Sequence, residues 1–272
     1  MAERAVLFVG GCMRSGTTLV QRILCAAPGV NPAIAECQYL TDLLAAHRQG
    51  EKRFELFLSD YFESETAFEA FGRETLQRFL AAVSARYPEA RQLVLKNPEL
   101  AYHFSIAAKL LPQARFVLVV RDPRDIIASM LQVADRQRAA GLSTPLVEMG
   151  RNMERLSDMV LGYYADSYSN VALLQGRLHV VLYERIAQGD PTAIDGLRRF
   201  SGLAIDGRPA DLAPQTWQRQ RSDQFVGAFW SPGWQEGVNS PRVGSHRAQL
   251  DPSEIAAIER QCERFGRSFQ YW

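Results

Sequence analysis

The chain has 272 residues, of which 47% are hydrophobic and 22% charged, which is enough apolar material for the core of one large α/β domain. Its 31 basic and 30 acidic side chains leave a net charge of +1, without the basic surplus of a nucleic-acid binder, and no apolar run approaches the roughly 18 residues of a membrane span. The N-terminus has no basic region followed by a long apolar stretch, so no signal peptide is expected, and four cysteines without metal spacing fit a reduced, cytoplasmic setting.

Ala5 to Val9 is a short apolar run of strand type, broken by Gly10 and Gly11. The polar loop Cys12-Met13-Arg14-Ser15-Gly16-Thr17-Thr18 follows, and then Leu19, Val20, Ile23 and Leu24 recur at helical spacing. A loop between strand and helix points several backbone N–H groups at one spot, where the helix N-terminus adds partial positive charge. Gly11 and Gly16 let the backbone approach a ligand closely. Arg14 adds a fixed charge, and Thr17 and Thr18 add hydroxyl donors, so the segment reads as an anion cradle. Cys12 within it reads as a small filler residue.

After a turn over Pro28–Pro32, Ala33-Ile34-Ala35 reads as a short strand ending at Glu36. Residues 38–90 show helical periodicity without strand signals and are expected to form a helical cap inserted between core strands, its many acidic side chains on a solvated face. Leu93-Val94-Leu95 is a buried strand closing at Lys96-Asn97-Pro98, and Leu100 to Leu111 a helix ended by Pro112. Arg115 to Val120 is the most strand-like run of the chain. It leaves through Arg121-Asp122-Pro123-Arg124 into a helix with Pro at an early position, where its missing N–H does no harm. Residues 146–168 read as one long amphipathic helix, and Leu178 to Leu182 as a strand followed by Tyr183-Glu184. Periodicity is lost over residues 205–250, where aromatic side chains are spread among Gly, Pro, Ser and Arg. A stretch of that length reads as a lid-like loop region. Residues 252–268 form a closing helix with a capped start at Asp251–Glu254.

Strands alternating with helices imply a central parallel sheet, whose ligands bind outside the carboxyl ends of the strands. Arg14, Glu36, Lys96, Arg121 and Tyr183 all follow strand ends in this scheme. Gly11 to Thr18 fits the frame of the phosphate loop GxxxxGK[ST], except that Thr17 stands at the lysine position. That lysine reaches the β- and γ-phosphates of a nucleoside triphosphate. Its absence, and the basic exit of the Phe116–Val120 strand where a magnesium-holding aspartate would stand, disfavour a kinase. The basic strand ends suit a ligand with two separate anionic groups and no metal.

The segment FVGGCMRSGTTL resembles the 5′-phosphosulfate loop of sulfotransferases that use 3′-phosphoadenylyl sulfate (PAPS), and FVLVVRDPRDIIASM resembles their 3′-phosphate motif, with Arg121 followed eight residues later by Ser129. The resemblance extends through Lys96-Asn97-Pro98 and Tyr183-Glu184 to Gly244–Arg247. The RSGTT form is more similar to the tyrosylprotein and bacterial branch than to the cytosolic one. What this implies is a P-loop-like three-layer fold, a parallel sheet flanked by helices with a helical cap insertion, as one domain over 1–272. It further implies sulfuryl transfer from PAPS to an acceptor hydroxyl, without metal.

In that scheme Ser15, Gly16, Thr17 and Thr18 hold the 5′-phosphate, Arg121 and Ser129 the 3′-phosphate, and Arg14 and Lys96 balance charge on the bridging oxygen. Glu36 is the leading general base, with His47 and His103 as rivals. Tyr183 is a further contact, and Ser240, Arg242 and Arg247 are candidates near the 3′-phosphate. The acceptor class stays open between a protein tyrosine and a small molecule, lipid or sugar, because Gln38 and Asp42 stand where tyrosylprotein enzymes carry basic residues. A homodimer is compatible with these features. The alternatives are a P-loop kinase and a nucleotide-bisphosphate binding protein without catalysis.

Overall fold

The structure is a computed structural model that describes residues 4–205 and 242–272. Its centre is a parallel sheet of four strands, β1 (Ala5–Gly11), β2 (Gln92–Lys96), β3 (Arg115–Val120) and β4 (Leu178–Leu182), in the order β2-β1-β3-β4. Parallel strands covered on both faces read as continuous apolar runs, and here both faces of β1, β2 and β3 are buried, while edge strand β4 is partly open. Phe8, Leu95, Phe116 and Leu118 point into one core layer, whereas Leu7, Val9, Val94, Val117 and Val119 point into the other. The period-two alternation of side chains divides them in this way.

Helix α1 (Thr17–Cys25) covers the second face, with α9 (Tyr183–Ala187) and α10 (Pro191–Ser201) after β4. The first face packs against α4 (Phe104–Leu110), α5 (Pro123–Ala139), α7 (Met153–Ser169) and the closing α11 (Pro252–Gln261) and α12 (Glu263–Ser268). The short helices α6 (Pro145–Met149) and α8 (Val171–Leu174) flank α7. Between β1 and β2 the chain builds α2 (Gln38–Lys52), a π-turn at Phe54–Leu58 and α3 (Glu65–Arg86).

Some expectations change. Residues 33–35 are not a strand, because the side chain of Asn31 occupies the outer edge of β2. Its Oδ1 accepts from Val94 N at 2.7 Å and its Nδ2 donates to Val94 O at 3.2 Å. The expected helix over 146–168 is two, broken at Gly150 (φ 55°, ψ −141°) and restarted by Asn152, whose side chain caps α7 through Arg155 N. The closing helix is likewise divided at Cys262, and its start carries the expected capping box between Asp251 and Glu254. The run from Leu100 opens as a 3-10 helix over Pro98–His103 before α4. Acidic side chains of the cap are in part paired: Glu51 and Glu69 both meet Lys109, at 2.7 and 3.2 Å. Of the lid-like region, residues 206–241 lie outside the described residues. No helix among the described residues is long and apolar enough to cross a membrane.

Strand register decides what meets at the carboxyl edge. Val9 is level with Lys96, Gly11 with Val119 and Val120 with Leu182. The loop after β1, Lys96 at the end of β2, Arg121 after β3 and Tyr183 after β4 therefore share one edge.

Candidate active site

The loop after β1 turns tightly, with Ser15 N donating to Cys12 O at 3.0 Å. Arg14 adopts a left-handed backbone (φ 68°), as does Gly16 (φ 99°). Gly16 is needed there for space as well, since a Cβ would lie 2.3 Å from the ring of Tyr183. Gly16 begins α1 without any side-chain cap, so the first-turn N–H groups are left for an anion. Ser15 and Thr17 are buried and Thr18 is half-buried. Cys12 is fully buried, and burial pushes its thiol well above the ordinary value, which leaves it inert.

On the α5 side of this loop lies a cavity of about 250 Å³. Four arginines line it, Arg14, Arg121, Arg136 and Arg242, together with Ser129, Gln132, Ser245 and Gln249. Arg14 Nε donates to Ser129 Oγ at 3.0 Å. Arg121 is 4% exposed and held on several sides: it donates to Arg14 O at 2.9 Å and Arg242 O at 2.6 Å, and its guanidinium sits 4.5 Å over the Tyr183 ring. Burial, and then the charges of Arg242, Arg121 and Arg136, bring the Arg14 guanidinium down to about 10. So much positive charge in one concavity is a site for a multiply charged anion.

Arg14, Arg121, Ser129, Tyr183 and Arg242, named from the sequence, thus come together, with Arg14 on the Ser129 side of its loop. Arg247 does not line the cavity, and Ser240 lies outside the described residues. Gln132, Arg136, Ser245 and Gln249 were missed. A signal for two of them was present, because 129, 132 and 136 follow one another at helical spacing on one face. Glu184 does not face the cavity. Its half-buried carboxylate accepts from Asp122 N at 2.9 Å and Tyr271 O–H at 3.0 Å and steadies the exit of β3.

At the other end of the edge, Cys37 N donates to Lys96 O at 3.0 Å, and this bond returns the 33–37 segment to the sheet. Glu36 lands beside Lys96, its Oε1 2.7 Å from Nζ. The Lys96 side chain is 3% exposed and that of Glu36 45%, so a buried cation supports a carboxylate open to the cleft. Beside them Asn97 Nδ2 donates to Gln38 Oε1 at 3.0 Å, and Gln38 Nε2 donates to Asp42 at 2.9 Å.

The two histidines stand elsewhere. His47 is buried inside the cap, stacked on Phe68 with ring centroids 4.3 Å apart, and a Cβ on Gly72 would lie 2.4 Å from its ring. His103 has Arg48, Asp166 and Asp42 as its charged neighbours. Burial, then the Arg48 charge, lowers it to about 4, a weak base at neutral pH.

A strand–loop–helix unit with an uncapped helix start beside an arginine cavity, at the carboxyl edge of a parallel sheet, is an arrangement of P-loop-like type suited to anions. The model of the Sulfotransferase family matches residues 6–207, and the chain belongs to that family. Among its relatives, Protein-tyrosine sulfotransferase 2 of Gallus gallus is 31% identical over 132 residues, 47% of this chain and 34% of that protein. Omega-hydroxy-beta-dihydromenaquinone-9 sulfotransferase Stf3 of Mycobacterium tuberculosis is 30% identical over 97 residues, 35% of this chain and 23% of that one. The chain thus spans about a third or less of the length of these two relatives. Among solved structures, the sulfotransferase domain from the Synechococcus PCC 7002 olefin synthase superposes with a TM-score of 0.57 at 17% identity, covering 96% of this chain and 94% of that one. Sulfotransferase STF9 from Mycobacterium avium gives 0.52 at 12% identity, over 98% and 77%. The P-loop-like fold is shared.

Proposed function

We propose that this chain transfers a sulfuryl group from PAPS to an acceptor hydroxyl, as a single domain with residues 38–90 as cap. The observation that carries this reading is the four-arginine cavity with Ser129 beside the uncapped N-terminus of α1, in a member of the sulfotransferase family. Two anion sites at one sheet edge suit a nucleotide phosphorylated at both 3′ and 5′ positions.

In this reading Arg121, Ser129, Arg14, Arg136 and Arg242 bind the 3′-phosphate. The 5′-phosphate rests on the N–H groups of Ser15, Gly16, Thr17 and Thr18 and on the threonine hydroxyls. Sulfuryl transfer needs alignment and charge stabilisation more than covalent help. Lys96, one strand over from the loop, balances charge on the oxygen that leaves sulfur, with no metal required. Glu36 accepts the proton of the attacking hydroxyl. Its exposed carboxylate beside a buried ammonium suits that role better than His103, with its depressed basicity, or His47, enclosed in the cap.

In this reading a strongly acidic peptide is disfavoured as acceptor. Gln38 and Asp42 are bonded to each other, and Arg48 is occupied by Tyr102 O and by Asp166 at 3.2 Å. A neutral hydroxyl compound, the kind of acceptor named for the mycobacterial relative, fits this surface better than the acidic tyrosine peptides of the tyrosylprotein enzymes.

The test is thermal unfolding with 3′-phosphoadenosine 5′-phosphate (PAP) in the absence of magnesium, against ATP with magnesium. A nucleotide at 100 times its dissociation constant stabilises the fold by about 2.7 kcal/mol. A shift with PAP that disappears in Arg121→Ala is expected. A shift with magnesium-ATP alone would overturn the reading in favour of a kinase. PAP binding without sulfate transfer to any of a panel of hydroxyl acceptors would favour a binding protein without catalysis.

A further inference from the structure

We infer that Asp125 is a positioning residue for the 3′-phosphate cavity, an inference that rests on the donor reading above. Asp125 is in the first turn of α5, on the same face as Ser129, and is 1% exposed. It does not line the cavity. A buried carboxylate next to a site for a dianion would repel the ligand unless its own charge were fully engaged.

It is engaged on every side. Oδ2 accepts from Gly244 N at 2.8 Å, Oδ1 accepts from His246 N at 2.9 Å, and His246 Nδ1 lies 2.8 Å from Oδ1. With the proton on Nδ1, three N–H groups converge on one carboxylate. Ser245 Oγ is at 3.4 Å, and a terminal nitrogen of Arg121 is 3.6 Å from Oδ2. These contacts, with burial opposing them, hold the Asp125 carboxyl below its ordinary range.

The partners explain the purpose. Gly244 (φ 74°) turns the chain into the short 3-10 helix Ser245–Ala248, which has no side-chain cap of its own. Asp125 supplies that cap from another element, binding the orphan N–H groups that a helix start leaves. The segment so anchored carries Arg242, Ser245 and Gln249 into the cavity. The same carboxylate faces Arg121, whose guanidinium is thereby bounded by Asp125, the Tyr183 ring and the carbonyls of Arg14 and Arg242. One buried anion thus joins the two walls of the cavity and offsets part of the repulsion among four arginines. The cavity is preorganised before the ligand arrives, which is where an interior charge contributes most.

The test compares PAP with adenosine 5′-phosphate, which lacks the 3′-phosphate, in the full chain and in Asp125→Asn. The variant keeps the shape but loses the charge and one acceptor position. A merely structural residue would weaken both nucleotides alike. The expected result is a PAP dissociation constant raised about 10-fold or more, with adenosine 5′-phosphate changed less than about twofold. In turnover, the KM for PAPS rises while kcat at saturating donor is retained. His246→Phe, which keeps a ring in the same space but removes the Nδ1 donor together with Nε2, should show a smaller loss of the same selective kind, about threefold. It serves as the second variant should Asp125→Asn fold poorly. If wild type prefers PAP and either folded variant keeps that preference in full, the positioning role is overturned and the donor reading survives. If wild type binds both nucleotides equally, the donor reading fails and the inference with it.

Discussion

On the Arg121 side of the cleft, Arg121 and Asp125 are buried, and Arg14 and Arg242 meet them from the β1 loop and the chain before Gly244. On the Glu36 side, one ion pair joins a buried lysine to a carboxylate 45% exposed, and the surrounding residues come from a helical cap. Arg121 in the first region is held by backbone carbonyls, the Tyr183 ring and the Asp125 carboxylate, and Arg14 by the Ser129 hydroxyl. The second region is the more open of the two. In the proposed reading the contrast teaches that donor recognition is built into the sheet edge, whereas acceptor choice is delegated to an insertion.

The sharpest way to break that comparison is to remove the groups of the open side. Glu36→Gln should lower kcat by roughly 100- to 10,000-fold, and Lys96→Ala by roughly 100- to 1,000-fold. PAP affinity, read by thermal shift, should stay within about threefold in Glu36→Gln if the two regions are independent. His103→Gln should leave kcat within about threefold; a loss as large as that of Glu36→Gln would move the base to His103.

A smaller effect is expected where the β1 loop meets the arginine cavity. Gly16→Ala must place a Cβ 2.3 Å from Tyr183 in a left-handed backbone, and Tyr183 in turn supports Arg121. The strain should cost about 1–3 kcal/mol of stability by denaturant unfolding and weaken PAP as Arg121 shifts. An unchanged unfolding midpoint with unchanged PAP affinity would show that the loop and the cavity are not coupled through Tyr183.

The smallest effect concerns pH. Burial and Arg48 depress His103 to about 4, so the folded chain resists a proton that the unfolded chain takes up near 6.5. The associated stability is complete above the unfolded value and is lost as pH falls from about 6.5 towards about 4. His47 and His179 are lowered as well, which makes the difference between wild type and His103→Gln the quantity to read. The variant should lose less melting temperature than wild type across that window. Parallel curves would show that His103 is hydrated more than its burial suggests.

Much of the donor side was legible along the chain. Strand, glycine loop and helix are local signals, and Arg121 with Ser129 lie on one strand–helix unit. Parts of the cavity were legible only in retrospect, as the helical spacing of Asp125, Ser129, Gln132 and Arg136. The link from Asp125 to Gly244 and His246 spans about 120 residues, and no periodicity encodes it. The strand expected at 33–35 failed for a similar reason. Its apolar pattern was real, but the edge of β2 was already taken by the side chain of Asn31, a long-range hydrogen-bond choice.

Sequence by itself determined the parallel α/β frame, the order of strands and helices along the chain and the anion cradle after β1, because alternation of apolar runs and glycine placement act over a few residues. Tertiary structure alone decided that Arg14 turns to Ser129, that Glu36 meets Lys96, that His47 belongs to the cap core and that Asp125 joins the walls of the cavity. Those outcomes depend on which buried groups find partners at a distance, and a buried charge such as that of Lys96, Arg121 or Asp125 is costly to leave unpaired.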